Sequence, residues 1–165
     1  MKSIDIEPGE INLLRKILPA ICLIIPWEVY FYSAYYSSGW GIKFSVFYAN
    51  FDGTYGTIFV NIFQQMALLS NGGFLASVRT LGWIFGAFLC ITLVIYELAK
   101  DTIEMDIELR TKTTAHALIS CGVITAISSF AVWNSAFKTL PIAPFFFIGF
   151  GYLLLHLEEK QVASE

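Results

Sequence analysis

Seventeen consecutive residues, Thr80–Tyr96 (TLGWIFGAFLCITLVIY), carry no charge, and no helical face through them is polar. A helix on the surface of a water-soluble domain keeps a polar stripe; this stretch has none. A hydrocarbon layer about 30 Å thick takes about 20 mostly apolar residues at about 1.5 Å rise each. Arg79 before the run and Glu97 and Lys100 after it bracket it with charge. The rest of the chain reads as partners for this span. Of its 165 residues 56% are hydrophobic and 14% charged, against about 25% charged in ordinary globular domains. In water such a chain would expose more apolar surface than a soluble domain tolerates, so it reads as an integral membrane protein. The net charge of −3 is spread along the chain without a basic patch, which excludes nucleic acid as a partner class.

The apolar runs follow one another without a long polar linker, so residues 1–165 form one membrane domain. Spans are expected at about 17–36, 80–98, 113–137 and 139–157. Lys2, Arg15 and Lys16 precede the first apolar run, Ile17–Trp27, in the manner of a signal peptide. Asp5, Glu7 and Glu10 break the basic region, however, and no small-residue cleavage site follows, so an uncleaved span is expected. Pro19 and Pro26 kink it. Trp27 and the tyrosines from Tyr30 to Tyr36 mark its outer interface belt.

Residues 37–79 form a long outer loop. Ser37–Gly41 reads as a turn, Lys43–Phe51 as a short strand, and Asn50–Gly53 as a turn signal. From Gly53 to Val78 there is no charge. Read as a helix, this stretch gathers Thr57, Asn61, Gln64 and Gln65 on one side, so an amphipathic helix over about 53–70 is expected on the outer face. Charge distribution favours that reading. With four spans, seven of the Lys and Arg residues share one side and three the other. A fifth span would split them five against five. Both termini and the loop 99–112 are therefore cytoplasmic. Within that loop Ile103, Met105, Ile107 and Leu109 alternate with Glu104, Asp106, Glu108 and Arg110, a strand pattern.

The fold class expected is thus an all-α integral membrane protein: a bundle of four transmembrane helices with a short strand and an amphipathic helix in the first outer loop. Four spans with a long first outer loop resemble claudin-type tetraspan proteins. The tryptophan and paired cysteines of the claudin loop are missing, and the resemblance assigns no residue a role. Cys22, Cys90 and Cys121 all fall inside apolar runs and read as small buried side chains rather than a disulfide framework.

Close helix packing is expected where small residues recur at four-residue spacing: Gly82 and Gly86 in the second span, Ala117, Cys121 and Thr125 in the third. Glu28 is the sharpest polar feature. Twelve positions beyond Lys16 on a straight helix, it would lie in the outer half of the bilayer, where a carboxylate needs a partner or a function. Arg79 is the partner nearest in depth, so Glu28 and Arg79 form either an ion pair or a proton or cation site. Glu97, His116, His156, Glu158 and Glu159 end spans at the inner face. His116, His156 and Glu97 are weak metal-ligand candidates, without a metal-motif spacing. Enzyme signatures are absent, and no motif implies a cofactor. The leading functional expectation is a non-enzymatic membrane protein acting by association. Its partners would be the lipid bilayer and other membrane subunits, or copies of itself in a homo-oligomer. A proton- or cation-coupled transporter component using Glu28 is the alternative, and a redox or metal-binding subunit the weaker one.

Overall fold

A computed structural model describes residues 8–67, 69, 73–99 and 107–162. Helix α1 (Pro8–Ile24) leads into four strands, β1 (Glu28–Ser33), β2 (Ser38–Lys43), β3 (Phe47–Asp52) and β4 (Gly56–Asn61). A short helix α2 (Ile62–Ala67) precedes the long helices α3 (Gly73–Ala99) and α4 (Ile107–Phe130). Strand β5 (Phe137–Pro141) and helix α5 (Ala143–Val162) complete the order. The strands form one antiparallel sheet in the order β4-β3-β2-β1-β5. The all-α expectation is therefore overturned. So is the tetraspan reading, because only α3 and residues 109–130 of α4 are long and apolar enough to cross a membrane among the described residues. Helix α1 has only 17 residues with Glu10, Arg15 and Lys16 among them, and α5 closes on Glu158, Glu159 and Lys160.

The first expected span ends twelve residues early, and its reason is local. Pro26 cannot donate the next helical hydrogen bond, so α1 stops at Ile24. The aromatic and β-branched run beyond it then meets two partner strands. Tyr30 and Tyr32 point to one face of β1, opposite Gly41 and Gly39 of β2. A side chain at Gly41 would collide with the Tyr30 ring, so these glycines make room for aromatic rings across the pair. That pairing turns the expected turn at Ser37–Gly41 into a strand. The expected strand at Lys43–Phe51 is divided between the end of β2 and β3. Asp52 Oδ1 accepts hydrogen bonds from the amides of Thr54 and Tyr55 at 2.7 and 2.9 Å, and Gly56 takes φ +77°, closing the β3–β4 hairpin. The amphipathic helix shrinks to α2. Asn61 and Gln64 are its reciprocal cap, each side chain accepting from the other's amide at 2.9 Å. Of the cytoplasmic strand pattern, residues 103–106 lie outside the described residues, and Ile107–Arg110 are helical. Span three ends at Phe130, and span four is replaced at its start by β5.

The sheet closes over one end of the helices. Trp83 Nε1 donates to Phe44 O at 2.8 Å, and Trp27 packs edge-on against Phe147 at 5.4 Å. Within the bundle Leu18, Cys22, Cys90, Leu118, Cys121, Phe147 and Leu154 form the core. Gly82 and Gly86 of α3 meet Ser128 and Thr125 of α4, and a Cβ on Gly86 would stand 2.6 Å from Thr125 Cγ2. Cys121 Sγ contacts Gly86 O at 3.4 Å, and Ala117 packs against the same core. Polar distribution is inverted relative to a water-soluble bundle. Phe85, Phe88 and Ile95 of α3, Val123 and Ile127 of α4, and Phe145 and Tyr152 of α5 are exposed, while Arg15, Glu97, Thr111, Thr114, Thr125, Ser128 and Ser129 are buried.

Candidate functional site

Glu28 opens β1 and Lys43 closes β2, directly opposite each other in the strand register. Both side chains turn inward, where Arg79 of α3 and Ser129 of α4 meet them. Lys43 Nζ lies 2.9 Å from Glu28 Oε1, and Arg79 donates to the same oxygen. Ser129 Oγ donates to Oε2 at 2.7 Å. Glu28 is 2% exposed and Lys43 6%. Glu28 is thus in the sheet, not in a spanning helix as its position beyond Lys16 had suggested.

The electrostatics follow from burial and charge. Burial works against the Glu28 carboxylate. The Lys43 and Arg79 charges and the hydrogen bonds from Lys43 and Ser129 outweigh it and hold Glu28 at about 2, below its ordinary 4.5. Burial pushes Lys43 down to about 8, with Arg79 adding to the fall and Glu28 opposing it. Two cations thus share one carboxylate, which leaves the cluster with a formal excess of one positive charge at neutral pH.

Above the cluster lies a cavity of about 330 Å³, lined by Tyr30, Tyr48, Trp83, Phe137, Asn50 and Gln65 together with Lys43 and Arg79. The Arg79 guanidinium sits 4.9 Å from the Tyr30 ring centre and 4.5 Å from that of Phe137. Lys43 Nζ stands 5.0 Å from the Trp83 ring centre. Tyr48 donates to Gln65 at 2.9 Å, and Gln65 donates to Thr80 at 3.3 Å. Burial raises the Tyr30 and Tyr48 phenols above their ordinary value, so both remain protonated donors.

The inner candidates do not converge. His116 is exposed and its Nδ1 lies 2.7 Å from Lys112 O of its own helix; His156 is exposed as well. Glu97 is buried in a separate network, 3.1 Å from Arg15 Nε, and it accepts from Thr114. Arg15 also donates to Thr111 at 3.2 Å. Glu158 lies 3.3 Å from Lys112, and Glu159 is exposed. Among the described residues no three His, Cys, Asp or Glu side chains are placed to hold a metal. Lys43, Ser129 and the tyrosines were missed in the sequence. A β1–β2 hairpin, recognised through Gly39 and Gly41, would have placed Lys43 opposite Glu28.

The Glu28 shift sets a pH dependence. Its folded pKa lies below the unfolded one, so its contribution to stability is present above about 4.5 and is lost as pH falls towards about 2. Thermal unfolding of the detergent-solubilised protein should therefore weaken between those values, and Glu28→Gln should remove that part of the slope. An unchanged slope in the variant would contradict the assignment.

No known protein family matches this sequence, and no curated protein is similar to it.

Proposed function

We propose that the chain is a multi-pass integral membrane protein that works by association, as a homo-oligomer or as an accessory subunit of a larger membrane complex. The inverted bundle supports the membrane environment, because apolar helix faces suit lipid and buried polar groups suit the interior. Arg15, Lys16, Arg110, Lys112 and Lys160 lie towards the bundle end opposite the sheet. The bias of Lys and Arg towards the inner face supports a cytoplasmic position for that end and for both chain termini, with the sheet outside.

The observation that carries association is the edge strand β4. It pairs with β3 alone among the described strands, carries no charge (GTIFVN), and is exposed along nearly its whole length. Ile58 and Phe59 are exposed on it, and Phe63 and Met66 continue the apolar surface into α2. Natural sheets blunt such edges with charge, proline or a covering element; a bare apolar edge favours a strand or apolar partner. Proton or cation transport through Glu28 is disfavoured, since Lys43 and Arg79 already hold one carboxylate oxygen and Ser129 the other, and the two cations keep the group ionised.

The test is the mass of the intact particle after purification in mild detergent. The expected result is a mass above that of one chain in its micelle, and Ile58→Lys with Phe59→Lys should bring it down to the single chain. A single chain from the start, or an unchanged larger mass in the variant, would contradict the proposal.

A further inference from the structure

The cavity under the sheet has the attributes of a binding site rather than of a packing defect. Its floor carries two cations against one carboxylate, and neither Lys43 nor Arg79 meets a second carboxylate among the described residues. Asp52, on the same face of the sheet, accepts from the Tyr32 hydroxyl and from the Thr54 and Tyr55 amides, and forms no ion pair with either cation among the described residues. Lys43 is buried and Arg79 partly so, and a second negative charge beside them would offset their excess, so this site favours an anion. Two further polar atoms there are buried without a hydrogen-bond partner, Arg79 Nε and Asn50 Oδ1. One is a donor and the other an acceptor. The walls are Tyr30, Tyr48, Trp83 and Phe137, which offer ring faces and edges to a flat apolar body. About 330 Å³ lies within the range of ligand cavities, roughly 300–1,000 Å³, and is too small for a lipid chain with its headgroup.

We propose that this cavity binds a small aromatic carboxylate, its anionic group on Arg79 and Lys43, its ring between Tyr30, Tyr48, Trp83 and Phe137, and a hydroxyl or N–H of its own donating to Asn50 Oδ1. The single negative charge matches the single excess cation. A lipid phosphodiester is the other source of a single negative charge, and it lacks the ring.

The experiment uses the full chain in uncharged detergent and follows thermal unfolding while indole-3-acetate, indole-3-acetamide or glycerophosphocholine is titrated. A ligand that binds only the folded state stabilises it by RT ln(1 + L/Kd) at free concentration L, so the midpoint starts to rise near Kd and climbs logarithmically above it. Indole-3-acetate should raise the midpoint, and the neutral amide should need at least a ten-fold higher concentration for the same rise. Lys43→Met leaves Glu28 paired with Arg79 and Ser129 at zero net charge; the variant should fold and lose the preference for the acid. Gln65→Trp enlarges a lining side chain whose own partners are Tyr48 and Thr80 rather than the charged cluster; it should abolish the shift and serves as the deciding variant if Lys43→Met does not fold. The proposal fails if acid and amide act alike, if neither acts, or if either variant that folds keeps the wild-type response. A shift from glycerophosphocholine as large as that from the acid would also overturn it and assign the site to a lipid headgroup.

Discussion

Replacing Gly82 and Gly86 together with leucine should prevent the protein from reaching its native fold. The two glycines set how closely α3 approaches α4. Even a methyl group at Gly82 would collide with Ser128, and one at Gly86 would press on Thr125 and on Trp27. Overfilling a packed interior costs about 1–3 kcal/mol at one site. Two leucines on one helix crossing force the helices apart along their length, and with them Trp27, which ties α1 to the contact. In lipid, close packing replaces the hydrophobic drive between helices, so nothing compensates for the lost contact. Detergent-solubilised yield and a cooperative thermal transition are the readouts. Gly149, which has open space where a Cβ would stand, is the control, and Gly149→Ala should leave both unchanged. A normal transition in the double leucine variant would show that α3 and α4 do not cross as described.

The second large effect is at Glu28. Glu28→Gln leaves the buried Lys43 and the partly buried Arg79 side by side without a carboxylate. Removing one member of a buried ionic group costs about 3–5 kcal/mol, whereas replacing the whole group with apolar residues is often neutral. Glu28→Gln should therefore be destabilised by about that amount, and adding Lys43→Met and Arg79→Met should recover most of the loss. The comparison is made at neutral pH by denaturant or thermal unfolding in one detergent. A stable single variant, or a triple variant no better than the single, would show that the cluster is not a mutually dependent unit.

The long apolar helices were legible because their signal is composition: Thr80–Tyr96 has no polar face, and α3 contains all of it. Bilayer thickness was a poor guide to where the first helix stops, because it ignores what the residues beyond Pro26 can pair with. The run EVYFYS has aromatic and β-branched character that suits a strand as well as a membrane interface, and only partner strands decide between them. Those partners were disguised. β2 carries glycine at both positions facing Tyr30 and Tyr32, and β5, more than a hundred residues from β1, straddles Lys138 at the break between the third and fourth expected spans. Arg79 was named beside Glu28 from depth along a spanning helix, a premise that the strand position of Glu28 removes although the two side chains do meet. The presence of Lys43 and Ser129 was not readable, since it depends on strand register and on where α4 ends. The histidines illustrate the opposite error. Sharing an end of the bundle in sequence order does not bring side chains to a common point.

The proposed membrane placement puts the exposed apolar helix faces in lipid and the sheet, with the charged cluster at its base, in water. Spin labels read this directly. With Cys22, Cys90 and Cys121 replaced, single cysteines at Phe88, Ile127 and Thr54 would be labelled in the reconstituted full chain, and collisions with oxygen and with a water-soluble nickel chelate compared. The expected result is oxygen-dominated relaxation at Phe88 and Ile127 and nickel-dominated relaxation at Thr54, which is exposed in the β3–β4 turn. Nickel access at Phe88 and Ile127 equal to that at Thr54 would place those helix faces in water and contradict the account.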